Sequence, residues 1–253
     1  RMSHSFRSLV VCMGIMLLLV ICVSVVECYD AGRARFIAKS SEDSPYTNFL
    51  FRGSEPVNGS GIFEWDLVTK TLENVCQSEG NCTLPSNFYF VDINLLNDVK
   101  PEERHNIEEE KAFFAQNPDK GAFLNWITVG SLINPAKLSG DLLKSLASKL
   151  PDWELDHLVE RLHSLHGWLE TESGPANRSV VYYIHCEAGE DRTGEVSGAY
   201  YMGYLHWSMQ QALDYDNHIE TRHISFMSRN AMNWYCYYLK YGRGIDIDCE
   251  YTE

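Results

Sequence analysis

Residues 185 to 194 read HCEAGEDRTG and place a thiol and a guanidinium six positions apart. A cysteine thiolate is a nucleophile, and the planar fork of an arginine can bind two phosphate oxygens. Gly189 stands between Cys186 and Arg192 and allows a tight turn whose backbone N–H groups point inward. The spacing therefore indicates a loop that holds a phosphate over a reactive thiolate.

The expected roles within this loop divide between side chains and backbone. Cys186 and Arg192 are the candidate catalytic pair, and Thr193 is positioned to hydrogen-bond the sulfur or to assist a second step. The candidate phosphate-binding residues are Glu187, Ala188, Gly189, Glu190, Asp191 and Arg192. Three of these are acids, which oppose both thiolate formation and phosphate binding. Two interpretations stay open: an enzyme, or a phosphate-binding module with weak or no turnover.

The sequence around the loop indicates a strand before it and a helix after it. Residues 179–185 form a near-continuous apolar run, as in a parallel strand buried on both faces. Small and aromatic residues from 193 onward favour a buried helix. Elsewhere the patterns predict a strand at 86–95, an apolar strand or buried segment at 123–133, a turn-rich stretch at 50–61, and helices at 61–76, 103–117, 138–150 and 153–172. This alternation predicts an α/β fold in which helices flank a central, mostly parallel sheet.

Composition and the N-terminus restrict partners and compartment. The chain has 253 residues and a net charge of −14, and an acidic chain with no basic run is a poor nucleic-acid binder. Arg1 and Arg7 precede an uncharged apolar stretch at 9–26, so residues 1–28 are expected to be a signal peptide or a signal anchor. We therefore expect the rest in the secretory pathway, either secreted or lumenal, or anchored through 9–26. Residues 29–47 are expected to be a leader, and 48–253 one domain with a disulfide-bonded C-terminal tail.

Cysteine parity singles out the loop cysteine. Five cysteines follow residue 28, and an odd count in an oxidising compartment implies a free thiol. Cys76 and Cys82 flank a short polar loop, and Cys236 and Cys249 flank the C-terminal tail, so these pairs are the hypothesised disulfides. Cys186 is then the free thiol. Sequons for N-glycosylation occur at Asn58, Asn81 and Asn177, of which Asn81 is disfavoured by its neighbour Cys82.

The loop resembles the signature of cysteine-dependent protein tyrosine phosphatases, which include dual-specificity, lipid and inositol-phosphate members. Residues 50–56 and 208–222 are similar to segments of the small dual-specificity and phytase-like members. The resemblance implies that Cys186 attacks phosphorus and that water then hydrolyses a cysteinyl-phosphate, with no metal or cofactor. Phosphoproteins, phosphoinositides and soluble inositol phosphates are the implied substrate classes. No basic pocket is evident near the loop, which disfavours highly charged inositol phosphates.

The resemblance also implies a general acid that protonates the leaving oxygen. Asp152 lies in a Leu-Pro-Asp-Trp stretch 34 residues before Cys186, a spacing that fits. Asp191 is the rival, because phosphoinositide phosphatases of the myotubularin and Sac types carry a similar Cys-x4-Asp-Arg-Thr pattern, which also favours a lipid substrate. The structural alternatives are a helix N-cap for Asp152, and a cap or a partner of a nearby base for Asp191.

Overall fold

A computed structural model describes residues 29–219 and 222–252, and its centre is a five-stranded sheet in the order β1-β2-β5-β3-β4. The strands are β1 (Arg35–Lys39), β2 (Phe49–Ser54), β3 (Tyr89–Asn94), β4 (Gly121–Asn125) and β5 (Val180–Cys186). Only the edge pair β1–β2 is antiparallel; β2–β5, β5–β3 and β3–β4 are parallel. The predicted mostly parallel sheet is confirmed.

Eight α-helices connect and cover these strands in the described part of the chain. They are α1 (Trp65–Ser78), α2 (Pro101–Gln116), α3 (Gly140–Ala147), α4 (Leu150–Trp153), α5 (Leu158–Thr171), α6 (Asp191–Tyr204), α7 (Met209–Ile219) and α8 (Phe226–Tyr241). The helices pack on a sheet whose two faces are both buried. The α/β class predicted from the sequence is therefore confirmed.

The central strand β5 explains why residues 179–185 read as a continuous apolar run. All seven of its residues are buried, and successive side chains enter opposite faces of the sheet. Val181 and Tyr183 pack into one core with α1, whereas Tyr182, Ile184 and Cys186 pack into the other with α5, α6 and α8. The strand therefore delivers Cys186 to the carboxyl edge of the sheet, where the loop begins.

Four segments differ from their sequence-based expectation. Residues 29–47, expected to be a leader, contribute β1, which pairs with β2. The stretch predicted as turn-rich at 50–61 is strand as far as Ser54, because its polar Arg52 is buried against a partner distant in sequence. The stretch 123–133, predicted as an apolar strand or a buried segment, is strand only as far as Asn125, and the helix predicted at 153–172 begins at Leu158. Asp156 ties these two loops together by accepting the N–H groups of Val129 (2.9 Å) and Gly130 (2.7 Å).

The cysteines pair as parity predicted. Cys76 is bonded to Cys82, which closes the end of α1, and Cys236 is bonded to Cys249, which fixes the C-terminal segment to α8. Cys186 is a free, buried cysteine.

The expectations about the secretory route stay predictions. The predicted signal segment 1–28 lies outside the described residues, and within the described ones no helix is long and apolar enough to cross a membrane. Asn81 and Asn177 are exposed, while Asn58 is half-buried and its amide donates to Glu64 Oε1 at 3.1 Å.

Candidate active site

The loop that follows Cys186 has the geometry of an anion site. It runs from the end of β5 to the start of α6 at Asp191, and Cys186 is 3% exposed. In the described structure, the backbone N–H groups of Ala188, Gly189, Asp191 and Arg192 donate to no protein acceptor. Free N–H groups of a tight loop and of a helix N-terminus together favour a bound phosphate or similar anion.

Gly189 makes the turn of this loop possible. Its φ is +78°, in the left-handed region, and a Cβ placed on it would lie 2.5 Å from the carbonyl oxygen of Gly53. The Gly189 carbonyl accepts a hydrogen bond from Arg52 Nη2 at 2.7 Å. A side chain at position 189 would therefore both strain the backbone and push the loop away from β2.

A buried ion pair supports the loop from below. Arg52 Nη1 lies 2.6 Å from Asp216 Oδ1 and 3.0 Å from Ser197 Oγ, and both charged side chains are essentially inaccessible. Burial acts to lower the pKa of Arg52, but the Asp216 carboxylate outweighs it and raises the pKa, so Arg52 stays charged. A Cβ at Gly194 would lie 2.5 Å from Asp216 Oδ1, so the glycine lets α6 approach the pair.

Glu103 on α2 fixes the catalytic candidate Arg192. Arg192 Nη1 lies 2.7 Å from Glu103 Oε2 and Nη2 lies 3.3 Å from Oε1, a two-point contact. The same carboxylate accepts from the Asn97 N–H (2.7 Å) and from Lys100 Nζ (2.7 Å). Burial raises the pKa of Glu103, but the hydrogen bonds from Arg192, Asn97 and Lys100 outweigh it and lower the pKa to about 2. Arg192 is thus held in one orientation by a permanently ionised partner.

Two of the three loop acids are neutralised by arginines from outside the loop. Glu190 contacts Arg33 Nη2 at 2.9 Å and Arg222 Nη2 at 3.0 Å. Asp191 accepts from Arg222 Nη1 (2.9 Å) and Nη2 (2.6 Å) and from the Ser225 N–H (2.6 Å). The third acid, Glu187, is exposed. The repulsion expected between the loop acids and phosphate is therefore largely offset within the protein.

These contacts bear on the two aspartates considered as general acids. Burial raises the pKa of Asp191, but Arg222 and the Ser225 N–H outweigh it and lower the pKa, so the group is ionised at neutral pH and has no proton to give. The contacts of Asp191 with Arg222 match the structural alternative in which Asp191 is the partner of a nearby base. Asp152 is exposed on α4, and its carboxylate makes no hydrogen bond or ion pair with a described residue. Helix α4 begins at Leu150 with Lys149 as its N-cap, so the N-cap alternative for Asp152 is wrong.

Thr193 lies with Cys186 and Arg192 in the same strand–loop–helix unit. It is fully buried, and its hydroxyl has no hydrogen-bond partner among the described residues. The structure therefore brings together the loop residues singled out from the sequence, while Asp152 makes no contact that ties it to them.

Glu55 is a carboxyl group beside the loop that sequence reasoning missed. It directly follows Ser54, whose Cα pairs with that of Cys186 across β2 and β5, and its N–H donates to the Glu187 carbonyl at 3.0 Å. Glu55 is 7% exposed, and its carboxyl group accepts from Asn106 Nδ2 at 2.8 Å. Burial first, and then repulsion from Glu110, raise its pKa to about 8. Glu55 therefore carries a proton at neutral pH.

His185, which directly precedes Cys186, lies in a buried cluster with Asp92 and Glu110. Its Nε2 lies 2.8 Å from Asp92 Oδ1 and 3.4 Å from Glu110 Oε2, and its Nδ1 lies 3.4 Å from the Cys186 carbonyl. Burial lowers the pKa of His185, but Glu110 and Asp92 prevail and raise it well above the usual value. The three groups also lie within the spacing of a metal-ligand set, 4.8 Å. The predicted absence of a metal stays a prediction.

The sequence contained only weak signals for the supporting residues. The position of Arg52 within the otherwise apolar strand β2 was the only sequence signal for its supporting role. No local pattern indicated that Arg33, Glu103 and Arg222 contact the loop residues.

Comparisons with known proteins give structural matches only. No protein-family model matches the chain, and no curated protein sequence matches it. The chain is similar to the core catalytic domain of the PP-IP phosphatase SIW14 from S. cerevisiae, at 15% identity over 83% of this chain and 88% of that one, with a TM-score of 0.37. It is similar to Tk-PTP in its active form, at 13% identity over 84% and 98%, with a TM-score of 0.39. It is also similar to P. aeruginosa TpbA, at 16% identity over 83% and 91%, with a TM-score of 0.38.

Proposed function

We propose that the protein is a phosphatase that hydrolyses phosphate monoesters through a cysteinyl-phosphate at Cys186. The observation that carries the proposal is the loop itself. A free cysteine ends a buried strand, unpaired N–H groups follow it, and Arg192 is oriented by Glu103 at the start of α6. The pairing of Glu190 and Asp191 with arginines favours this function over the alternative of a weakened, phosphate-binding module.

In the proposed reaction, the Cys186 thiolate attacks phosphorus and the bond to the leaving oxygen breaks. The loop N–H groups and the Arg192 guanidinium bind the nonbridging oxygens and stabilise their charge in the transition state. Water then attacks the phosphorus of the cysteinyl-phosphate, which releases inorganic phosphate and restores the thiolate.

A proton must reach the leaving oxygen in the first step, and two carboxyl groups are candidates. Asp152 stays the candidate derived from the resemblance, on spacing from Cys186 alone. Glu55 is the candidate derived from the structure, because it lies beside Glu187 and is protonated at neutral pH. We expect replacement of the true donor by its amide to lower the rate about 10²- to 10⁴-fold with a poor leaving group such as an alkyl phosphate.

The donor assignment is tested with Glu55→Gln and Asp152→Asn, with Asp141→Asn as a control on an exposed aspartate of α3. A rate loss that disappears with p-nitrophenyl phosphate, whose leaving group needs no proton, identifies a donor. Unchanged rates in both variants with the alkyl ester would exclude both residues.

The substrate class is proposed to be a monophosphate ester on a protein or a lipid headgroup. Arg33 and Arg222 are engaged by the loop acids, and Arg192 and Lys100 share the single carboxylate of Glu103, so little positive charge near the loop is left to attract several phosphates. This arrangement is unfavourable for a polyphosphorylated inositol. A panel of phosphopeptides, phosphoinositides and soluble inositol phosphates tests this; preference for the most highly phosphorylated inositol would contradict it.

The activity itself is tested by hydrolysis of p-nitrophenyl phosphate. Wild-type protein is expected to turn over, whereas Cys186→Ser is expected to be inactive yet to bind phosphate or vanadate. Binding without turnover by reduced, folded wild-type protein would support the phosphate-binding module instead. If the folded protein shows no binding and no turnover, both interpretations are overturned.

We further propose that the chain matures in the secretory pathway. Two disulfides beside one free cysteine support this, since such bonds persist in oxidising compartments. Mass spectrometry of alkylated protein from secretory and cytosolic fractions tests the compartment; recovery only in the cytosol with all cysteines reduced would contradict it.

A further inference from the structure

An apolar cavity of about 560 Å³ opens at the edge of the sheet that also carries the loop after Cys186. Its walls are the segments 129–133 and 150–158 and the helices α6 and α8. The first of these segments follows the carboxyl end of β4, and α6 begins in the loop itself, at Asp191. The cavity therefore lies where α/β proteins commonly bind ligands, outside the carboxyl ends of parallel strands.

Two features join the walls of the cavity to the loop. The Ser225 N–H donates to Asp191 Oδ1 at 2.6 Å. Two residues further on, Met227 lines the cavity, and its carbonyl accepts the Ser131 N–H at 3.0 Å. On α6, Glu195 lines the cavity four residues after Asp191, and residues with this spacing lie on one face of a helix with Cβ atoms about 5–6 Å apart. The cavity thus begins about one helical turn from the residues proposed to hold phosphate.

Exposed hydrocarbon is concentrated at this place. Leu132 and Leu155, which line the cavity, are 76% and 77% exposed. Phe226, which lies between Ser225 and Met227, is 55% exposed. A single exposed apolar side chain is ordinary, but several grouped at an apolar cavity are typical of a ligand-binding surface.

The acids in the cavity wall do not make it a site for a charged group. Glu195 interacts with the side chains of Asp156 and Ser228, and Asp156 also accepts two backbone N–H groups of the segment 129–133. Glu154 accepts a backbone N–H at the start of α5 at 2.9 Å. The residues that line the cavity in the described structure include no lysine, arginine or histidine. The cavity therefore suits hydrocarbon, whereas an anion is better placed at the loop.

From this combination we propose that the substrate is a lipid phosphate, whose phosphate binds at the loop while its hydrocarbon chain occupies the cavity. The chain packs against Leu150, Leu158 and the indole rings of Trp153 and Trp234. The volume is in the range of sites for small organic molecules, and each CH₂ group that is buried can raise affinity by about fourfold. Hydrolysis releases the lipid alcohol and inorganic phosphate. This inference rests on the proposed phosphatase function and selects a lipid over a phosphoprotein as its substrate.

Hydrolysis of n-alkyl phosphates by the full chain tests the proposal. Butyl, octyl and dodecyl phosphate are compared below their critical micelle concentrations, because the reacting ester is the same in all three. We expect kcat/KM to rise at least about tenfold from butyl to octyl and again to dodecyl, mainly through a lower KM. A phosphoserine peptide, which is also an alkyl ester, should react less efficiently than dodecyl phosphate. Higher efficiency with the peptide would overturn the choice of a lipid.

Two variants locate the chain in this cavity. Ala231→Phe fills part of the cavity from α8, and Leu155→Ser removes exposed hydrocarbon from its wall. Both should reduce the ratio of kcat/KM for dodecyl phosphate to that for butyl phosphate, a ratio that does not depend on the fraction of folded enzyme. Leu142→Ser, at an exposed leucine of α3 outside the cavity, is the control and should keep the ratio of wild type. An unchanged ratio in both cavity variants would overturn the proposal.

Binding of alkylphosphonates to Cys186→Ser separates this inference from the proposed function. Phosphonates have no ester bond, and the fluorescence of Trp153 and Trp234 detects a chain that enters the cavity. Turnover of all esters without dependence on chain length would overturn the inference and leave the phosphatase function standing. Absence of turnover by folded wild-type protein would overturn the phosphatase function. In that case, tighter binding of dodecylphosphonate than of butylphosphonate would still support the lipid as the ligand, and equal affinity would overturn the inference as well.

Discussion

Two sets of charged side chains surround the loop that follows Cys186, and they differ in how their charges are compensated. The inner set lies beneath the loop and is fully buried; it comprises Arg52, Asp92, Glu110, His185 and Asp216. The outer set lies around the loop, and apart from the buried Glu103 and Glu190 its side chains are partly open to solvent; it comprises Arg33, Glu103, Glu190, Asp191, Arg192 and Arg222.

The difference lies in protonation. In the outer set arginines hold Glu103 and Asp191 ionised, with pKa values below the ordinary range. In the inner set burial outweighs the nearby His185 and raises the pKa of Asp92. An acidic loop can therefore be compatible with a bound anion when its acids are paired with arginines. The charged groups beneath the loop can instead support its shape.

The largest expected effect is the loss of the inner ion pair. Arg52→Met removes the only charge that compensates Asp216 in the described structure, and breaking such a buried pair costs about 3–5 kcal/mol. Denaturant unfolding with both disulfides intact measures the change. Arg35→Met is the matched control, since Arg35 pairs with Arg52 across β1 and β2 but is partly exposed. A loss below about 1 kcal/mol for Arg52→Met would show that the pair does not hold the fold.

The next effect concerns Glu55, whose negative charge is removed by a bound proton and not balanced by a basic side chain. Its pKa is raised from 4.5 to about 8 on folding, so the folded state binds the proton more tightly than the unfolded chain does. The unfolding free energy should therefore fall as the pH rises from 4.5 to 8, by on the order of 2–4 kcal/mol from this group.

Glu55→Gln should remove that part of the pH dependence, as measured by urea unfolding across the range. The control Glu102→Gln replaces an exposed acid of α2 and should leave the profile unchanged. Identical profiles for wild type and Glu55→Gln would contradict the raised pKa.

A smaller effect is expected in the outer set at Glu103. Glu103→Gln removes the two-point contact that orients Arg192, and we expect kcat/KM to fall about 10- to 100-fold as the guanidinium loses its alignment. Steady-state hydrolysis of p-nitrophenyl phosphate measures it, with Glu102→Gln as the neighbouring control. A rate within about twofold of wild type would mean that Arg192 is oriented without Glu103.

The smallest effect is expected at Arg222, which is 51% exposed. Arg222→Gln should cost less than about 1 kcal/mol of stability, as partly exposed ion pairs do. It should weaken phosphate binding a few-fold, because Glu190 and Asp191 then face the anion with less compensation, and salt should reduce the difference. Arg104→Gln, another exposed arginine, is the control. Tighter phosphate binding in Arg222→Gln would contradict the assigned role.

The sequence predicted the loop better than its surroundings, for a physical reason. The buried run at 179–185, the loop with its cysteine and arginine, and the two disulfides depend on local pattern or on parity, and the structure has these features. Arg52 and Asp216 are 164 positions apart, and Glu103 and Arg192 are 89 apart. Contacts over such separations arise from the packing of β2, α2 and α7 around the loop, which no local pattern encodes. Glu55 was missed for the same reason, since burial and not sequence raises its pKa.

The most direct test of the central claim is detection of phosphate on Cys186 itself. Reduced, folded protein is mixed with p-nitrophenyl phosphate, quenched in acid within the first turnovers and digested, and the peptide that contains residue 186 is analysed by mass spectrometry. We predict a phosphate adduct on Cys186 in wild-type protein, at higher occupancy if hydrolysis of the intermediate is slow, and none in Cys186→Ser. Turnover without any adduct, or an adduct and turnover that persist in Cys186→Ser, would contradict the account.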